Sequence, residues 1–586
     1  MSKIELHYRK IRPLDLVSLA EQFEPTEEDA ERDYNPFHIT KIQAFNPLYT
    51  EFFVLNESNY DRVGLNHKYY MEDAAIQGSE SESLSDYFVK SSPLLDPVHY
   101  LVGKYNTLSP TLRVLPTLTN EKECFPKIAN KQNASYIDGF FCYLSSQLRN
   151  THNMLNAVDF YGSYLAIQNR YKANITDDVD YLHQSNFFMD RVGKDFSISF
   201  NAQQSGGGYD DFTGIGSRTN KKRLVFQDDE LLAEELSIDV VDVLTVTEQE
   251  TETDIPVIES NDVVCEYEHE KGDGESSDSS SSSDDDLNYS EESGSGSESG
   301  SGSGSESEES LSKDDEESGS GSESSGSSDS EAYAYINDFP VNLIFLEKCD
   351  GTLDRLFLDQ HIDLEQGAAC LMQVVMSLLA FQKAFHFTHN DLHTNNIMYV
   401  ETDVEWLYYK YDNQFYRVPT YGRIYKIIDF GRAIYRFKDR IYCSDSFAPK
   451  GDAHSQYNTE PYFNETRARI EPNPSFDLCR LGTSIYDFII QDEEDPRDEF
   501  QETIYRWCLD DNGKNVMYRR DGEERYPGFK LYKMIAKNVH AHTPEEQLKY
   551  PFFKQFLLDP EAAAELDEQE VRKNGLNIDV ISKEYL

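Results

Sequence analysis

Hydrophobic and polar positions recur at helix and strand periods along much of this chain. Residues 364–385 place apolar side chains at helical spacing, and Asp363 can cap the start of that helix. The largely apolar run 341–346 predicts a buried strand that breaks into a glycine turn, and residues 158–166 predict a second strand. A further helical pattern covers 136–148. The mixture predicts an α+β protein.

An aromatic-rich stretch predicts a β-hairpin. Its strands are residues 406–411 and 415–418, and its turn is formed by Asp412 and Asn413. Two roles fit this hairpin equally well: a docking surface for a partner, or a purely structural element.

Composition changes abruptly in the middle of the chain. Residues 272–331 are almost entirely Ser, Gly, Glu and Asp, with 19 acidic residues and one lysine, Lys313. Such a segment buries too little apolar surface to offset its chain entropy, so we expect it to be disordered. It contributes −18 to a formal net charge of −53, which argues against nonspecific binding to nucleic acid or to an anionic membrane. The segment can serve as a solvated spacer or recruit basic partners.

The cysteines and the N-terminal residues predict an intracellular, soluble protein. The eight cysteines include no C-x-x-C pair, so neither a zinc site nor a disulfide framework is indicated. The first residues lack an apolar signal core, and no stretch suggests a segment of roughly 18–20 apolar residues that would span a bilayer.

Two short polar motifs lie close together in the second half of the chain. The first is an H-x-D-x-x-x-x-N loop formed by His389, Asp391 and Asn396, followed by an apolar frame. The second is Asp429-Phe430-Gly431, entered by an apolar pair. Together they resemble the catalytic loop and the D-F-G motif of protein kinases.

That resemblance implies a role for each polar group and requires ATP and Mg²⁺ as cofactors. His389 and Asp391 belong to the catalytic set, and Asp391 accepts the proton of the substrate hydroxyl. Asn396 and Asp429 ligate the magnesium ion that bridges the nucleotide phosphates.

The flanking segments extend the resemblance. The strand ending at Leu346 is similar to the hinge strand of kinases, where backbone groups of Glu347 and Cys349 would bind adenine and Leu346 would back the pocket. Residues 475–482 resemble the start of the central helix whose aspartate pins the catalytic loop, and 543–553 are similar to a segment that closes many kinase domains. The aromatic insert and the Asp429-Phe430-Gly431-Arg432-Ala433 run also resemble serine/threonine kinases of large DNA viruses, the iridovirus group in particular. Host cytoplasm, and packaging in the virion, are the locations this implies.

A bilobal kinase-like fold follows from the resemblance, with a small β-rich N-lobe and a mainly helical C-lobe. The expected boundaries are listed in chain order: an N-terminal extension at 1–98, the first part of the N-lobe at 99–168, an insertion at 169–337, the hinge strand at 338–347, the C-lobe at 348–557 and a tail at 558–586.

The N-lobe is where the chain departs most from the kinase pattern. Lys127 is the candidate for the lysine that contacts the phosphates, and Lys104 is its rival. The following helix offers Asp138 and Gln147 but no glutamate in the usual place, so the ion pair is either rebuilt from another carboxylate or missing.

The catalytic loop departs at two positions. Asn390 replaces the usual arginine, which makes activation by loop phosphorylation less expected. His393 replaces the usual lysine, as in some small-molecule kinases.

The leading hypothesis is an ATP- and magnesium-dependent serine/threonine-protein kinase whose partners are protein substrates. Two alternatives stay open. One is a small-molecule kinase, which shares His393. The other is a pseudokinase-like scaffold that binds partners through the acidic insert.

Overall fold

The computed structural model describes residues 4–78, 86–200, 331–490, 496–519 and 522–581, which form one compact unit. The predicted disordered region at 272–331 lies outside these residues, apart from Glu331. The strands are β1 Tyr8–Lys10, β2 Ile39–Gln43, β3 Val63–Leu65, β4 Tyr69–Glu72, β5 Ala75–Gly78, β6 Tyr87–Pro93, β7 Phe160–Asn174, β8 Phe196–Phe200, β9 Ala332–Glu347, β10 Gly351–Thr352, β11 Ile397–Glu401, β12 Trp406–Tyr411, β13 Gln414–Pro419, β14 Arg423–Ile427, β15 Ile434–Phe437, β16 Arg440–Cys443 and β17 Gly575–Asn577.

The α-helices alternate with these strands and dominate the second half of the chain. They are α1 Leu16–Gln22, α2 Glu27–Glu31, α3 Pro97–Leu101, α4 Pro126–Ala129, α5 Ala134–His152, α6 Val179–His183, α7 Asn186–Arg191, α8 Leu353–Leu358, α9 Leu364–Phe385, α10 Phe476–Ile489, α11 Glu499–Trp507, α12 Lys530–Asn538, α13 Pro544–Gln547, α14 Pro551–Lys554, α15 Pro560–Ala564 and α16 Glu568–Asn574. The mixed α/β character that the sequence predicts is confirmed.

A five-stranded antiparallel sheet forms the core of the first half of the chain. Its order is β2-β7-β9-β6, and β8 pairs with the outer end of β9. Strand β9 is buried along most of its length, which explains its nearly continuous apolar sequence. Two strands of this sheet, β2 and β6, come from residues 1–98, so the expected boundary at residue 98 does not separate an N-terminal extension from the sheet.

The boundaries of the predicted insertion also differ from the structure. Strands β7 and β9 pair from Phe160 with Leu346 to Asn174 with Tyr333, so both run past the expected limits of 169 and 337. The ladder has a register shift between Phe160 and Gly162, and it extends past the predicted strand end at residue 166. Strand β8, at Phe196–Phe200, adds a further rung to β9.

Helix α5 lies directly against this sheet. Gly139 allows the close approach, since a Cβ atom there would lie 3.2 Å from Nδ2 of Asn342 and 3.4 Å from Cδ1 of Ile344. Because Ile344 is the register partner of Lys90 on β6, the sheet and the helix bring Lys90 and the neighbouring Asp138 together.

Helix α9 has the bounds that the sequence predicts, and the side chain of Asp363 accepts a hydrogen bond from the backbone N–H of Gln366. By length and mean hydropathy this helix could span a bilayer, which the sequence analysis did not anticipate. However, 89% of its apolar window is buried inside the protein, as for a core helix. No other helix in the described ranges meets that criterion.

The predicted β-hairpin is confirmed as β12 and β13, joined at Asp412 and Asn413. Its partner is the C-terminal segment of the same chain, since β17 pairs with β12 in parallel. The carboxylate of Asp579 accepts hydrogen bonds from both turn N–H groups, at 2.8 and 3.0 Å. Within the expected tail, β17 and Asp579 are therefore packed against the hairpin.

Candidate active site

The register of one small sheet brings the two polar motifs together. Strand β11 begins directly after Asn396, and β14 ends two residues before Asp429. Ile397 pairs with Ile427 across the two antiparallel strands, and the N–H of Ile428 donates to the carbonyl oxygen of Asn396 at 3.0 Å. The end of the loop and the start of the D-F-G motif are therefore neighbours in space.

Helix α10 fixes the backbone of the loop, as the resemblance implies. The carboxylate of Asp477, which is 0% exposed, accepts the N–H groups of His389 and Asn390, each at 2.9 Å. Asn390 has the left-handed φ of 65°, a conformation that asparagine tolerates better than most residues. The loop therefore has a fixed shape before any ligand binds.

His389 holds the backbone on both sides of the candidate site. Its ring is fully buried, its Nε2 lies 2.9 Å from the carbonyl oxygen of Ile428, and its Nδ1 accepts the N–H of Asp391 at 3.3 Å. The sequence assigned His389 to the catalytic set, and the structure gives it the contacts of a positioning residue.

Asp391 lies at the open end of the loop with its carboxylate held on two sides. Tyr532 of α12 donates its hydroxyl to Oδ1 at 2.8 Å, and a guanidinium nitrogen of Arg432 lies 4.0 Å from Oδ2. Burial acts to raise the pKa of Asp391, but Arg432, followed by smaller favourable interactions, outweighs burial and holds the pKa below its ordinary value. Asp391 is therefore ionised at neutral pH.

Asn396 and His393 form the opposite wall of the loop. The Asn396 amide nitrogen lies 2.9 Å from the carbonyl oxygen of Asp391 and 3.1 Å from Nε2 of His393. Burial lowers the pKa of His393 to about 4, so its ring is neutral and Nε2 can accept that hydrogen bond. The amide nitrogen is thereby engaged by these two acceptors, which leaves Oδ1 of Asn396 as the side-chain oxygen that could bind a ligand.

Lys90 bridges two carboxylates from different parts of the chain. Its ammonium nitrogen lies 2.7 Å from Asp138 Oδ2 and 2.9 Å from Asp429 Oδ1. Burial alone would lower the pKa of Lys90, but the two carboxylates raise it above its ordinary value. The other oxygen of Asp138 accepts the N–H of Phe430 at 2.8 Å, which ties the D-F-G backbone to α5.

The predicted phosphate-contacting residue, Lys127, lies elsewhere and needs a correction. Its ammonium nitrogen pairs with Asp445 Oδ2 at 2.7 Å, and the other oxygen of Asp445 accepts the N–H of Ala134 at the start of α5. Lys127 belongs to the short helix α4 and not to a strand of the sheet. The strand pairing that brings Lys90 next to Asp429 therefore does not apply to Lys127. A signal for Lys90 existed: Phe88-Val89-Lys90 ends an apolar strand pattern with lysine, as in the V-A-I-K strand of kinases.

The predicted hinge residues lie at the end of β9. Leu346 is buried between Phe88 and Phe160 of the neighbouring strands. The Glu347 N–H donates to the carbonyl oxygen of Asp159 at 2.9 Å, and its side chain pairs with Lys426 at 2.8 Å. The backbone N–H of Glu347 is therefore engaged within the protein. Cys349 follows in the connection to β10, and burial raises the pKa of its thiol to about 12.

The oxygen ligands available beside Lys90 fit a magnesium ion held jointly with a nucleotide. Asp429 is 48% exposed, and its φ of 63° turns it out of the chain direction of β14. Within the described ranges no cluster of three or more His, Cys, Asp or Glu residues could hold a metal alone. Mg²⁺ often takes only one or two protein ligands and completes its shell with phosphate oxygens and water. One carboxylate and the Oδ1 of Asn396 meet that requirement.

No protein-family model matches this chain, and no curated protein matches its sequence.

Proposed function

We propose that the chain is an ATP- and Mg²⁺-dependent protein kinase that transfers the γ-phosphate to Ser or Thr hydroxyls. The observation that carries this proposal is the bridge from Lys90 to Asp138 and Asp429, next to Asp391. Asp429 and Asp391 are close enough for their charges to interact. A kinase-like bilobal arrangement of the sheet and the helical half is part of the same proposal.

In this proposal Lys90 takes the role that the sequence analysis gave to Lys127. Its ammonium would contact the α- and β-phosphates, and Asp138 would replace the glutamate that orients the lysine in protein kinases. An aspartate suffices here because Gly139 lets α5 approach β9 closely, which shortens the distance that the carboxylate must bridge. The close position of α5 thus lets the shorter side chain of Asp138 take the place of the missing glutamate.

Asp391 would orient the substrate hydroxyl and take its proton. The carboxylate is ionised at neutral pH, and the backbone N–H of Asp391 donates to Nδ1 of His389. Asp477 accepts the backbone N–H groups of the two preceding residues. Oδ1 is occupied by Tyr532, so Oδ2 is the oxygen that faces an acceptor. Positioning and charge stabilisation account for most catalysis of phosphoryl transfer.

Asp429 and Asn396 would hold the magnesium ion. Bound Mg²⁺ neutralises charge on the phosphates. The adenine would lie at the end of β9, against Leu346, with the carbonyl of Glu347 and the N–H of Cys349 as its hydrogen-bonding partners. The Lys90 ammonium can move from Asp429 to phosphate oxygens as the nucleotide arrives, because the contact with Asp138 remains.

One contact supports a second candidate, a small-molecule kinase. His393 touches the Asn396 amide at 3.1 Å, so the residue that distinguishes H-x-D-x-H loops is built into the site. An experiment must therefore answer two questions separately: whether the chain transfers phosphate, and whether the phosphate acceptor is a protein or a small molecule.

The test is transfer of labelled γ-phosphate from Mg-ATP to casein, to the chain itself and to a panel of small hydroxyl compounds. The natural chain is compared with Asp391→Asn and Asp429→Asn. Transfer to Ser or Thr that falls to a small residual rate in both variants supports the proposal. Transfer to small hydroxyl compounds alone favours the second candidate. ATP binding without transfer by the natural chain contradicts both and favours a scaffold.

A further inference from the structure

Tyr532 reaches the candidate catalytic carboxylate from a helix 141 residues further along the chain. Its hydroxyl donates to Oδ1 of Asp391 at 2.8 Å, and Nε of Arg480 donates to the same hydroxyl at 2.9 Å. An arginine has no acceptor, so the single hydroxyl proton of Tyr532 must point to Asp391. The three groups form a directed chain of hydrogen bonds that ends at the carboxylate.

The surroundings hold Tyr532 in this position. The side chain is 6% exposed, and its ring stacks on Phe529 with centroids 5.4 Å apart. Arg480 lies on α10, the helix that also contains Asp477. Helix α10 therefore supports Asp391 twice, through the loop backbone and through Tyr532.

We propose that Tyr532 is a positioning residue for phosphoryl transfer, which rests on the proposed kinase function. It occupies Oδ1 of Asp391 with a charge-assisted hydrogen bond and so leaves Oδ2 as the proton acceptor. Without the phenol hydroxyl, Arg432, 4.0 Å from Oδ2, is left beside the carboxylate, whose plane can then rotate away from the substrate hydroxyl. An error of about 1 Å in such a group can cost about 100-fold in rate.

The test compares Tyr532→Phe with Tyr518→Phe. Tyr518 is a matched control because it also donates to a carboxylate, Oδ1 of Asp487, at 2.8 Å. We expect Tyr532→Phe to lower kcat about 10- to 100-fold with KM for ATP unchanged within about twofold, since the lost contact positions the base and does not bind nucleotide. Tyr518→Phe should retain the natural kcat.

A double-variant cycle separates positioning from a general loss of folded protein. In the Asp391→Asn background, Tyr532→Phe should change the residual rate by less than about twofold, because the two residues act as one unit. An equal loss of rate in both backgrounds would overturn the inference. An unchanged kcat in Tyr532→Phe, with phosphate transfer by the natural chain, would also overturn the inference. That outcome would leave the kinase proposal intact. No transfer by the natural chain would overturn both.

Discussion

The two sides of the candidate site are held by different forces. On the loop side, hydrogen bonds hold the backbone of the loop to the Asp477 carboxylate, and they hold the side chains of Asp391 and Asn396 to other groups of the protein. On the lysine side, Lys90 joins Asp138 and Asp429 through ion pairs between a strand, a helix and a loop. The loop side is therefore held by contacts within the protein, while the lysine side would have to exchange partners if a nucleotide binds as proposed.

This difference indicates which contacts of the site can change and which are fixed. The Asp477 carboxylate accepts two backbone N–H groups and has no reason to change during a reaction. The Lys90 ammonium is shared between Asp138 and Asp429, so an anion or a cation bound beside it would compete for these contacts. Substitutions on the lysine side should change turnover, whereas substitutions under the loop should also change stability.

The largest effect is expected from Lys90→Met. Removing the ammonium takes away the charge that would face the phosphates in our proposal, and losing one such preorganised donor costs about 100- to 1000-fold in kcat. Steady-state transfer from Mg-ATP checks this value. The matched control is Lys127→Met, which breaks the pair with Asp445 and should lower the midpoint of thermal unfolding. Its kcat per folded molecule should stay within about threefold of the natural value, because Lys127 does not touch Asp429. The reverse order of effects would contradict our assignment of the two lysines.

Asp138→Asn should have the next largest effect. The amide oxygen can still accept the N–H of Phe430, but Lys90 loses one of the two carboxylates that hold its ammonium in place. We expect kcat to fall about 10- to 100-fold, as for a misplaced positioning group. Asp159→Asn is the control, since Asp159 pairs with Arg149 of the same helix at 3.0 Å but does not contact Lys90. Equal rates for the two variants would argue against a role for Asp138.

Asp477→Ala tests the loop side through stability. It leaves two buried N–H groups without an acceptor, so the free energy of unfolding should fall by about 2–5 kcal/mol. Asp477→Asn keeps one acceptor oxygen and should lose about half as much. Denaturant unfolding of the three proteins measures both values, and equal stabilities would show that these hydrogen bonds do not hold the loop.

The smallest effect concerns the pH dependence of His393. Its folded pKa of about 4 lies below the ordinary value of about 6.5, so the unfolded chain binds more protons between these values. The contribution of His393 to stability is therefore present above pH 6.5 and is lost as the pH falls toward 4. Above about pH 5.5 the rate should not titrate with His393. A limb near pH 6.5 in kcat/KM that disappears in His393→Gln would contradict this assignment.

The sequence was sufficient for the loop side because its chemistry is local. Asp391, Asn396 and Asp429 lie in short motifs, and the long helix at 364–385 and the hairpin at 406–418 follow plain periodic patterns. Each of these features depends on residues a few positions apart. The structure agrees with the predicted bounds of helix α9 and with the turn of the hairpin.

The lysine side could not be predicted in the same way because it depends on strand pairing. Lys90 reaches Asp429 only because β6 pairs with β9 in a register that sets Lys90 opposite Ile344. A shift of one residue would turn its side chain to the other face of the sheet. Tyr532 is a similar case, since nothing near it in sequence indicates that it contacts Asp391.

The most direct test of the site is to map which lysine reacts with a nucleotide bound in it. An ATP derivative with an acyl group on its terminal phosphate acylates a neighbouring amine, forming an amide and releasing ATP. Mass spectrometry of the labelled chain, with and without excess Mg-ATP, then identifies the modified lysine. We predict an amide on Lys90 that excess Mg-ATP prevents. ATP-protected labelling of Lys127, or no ATP-protected lysine at all, would contradict the assignment of Lys90 to the phosphate site.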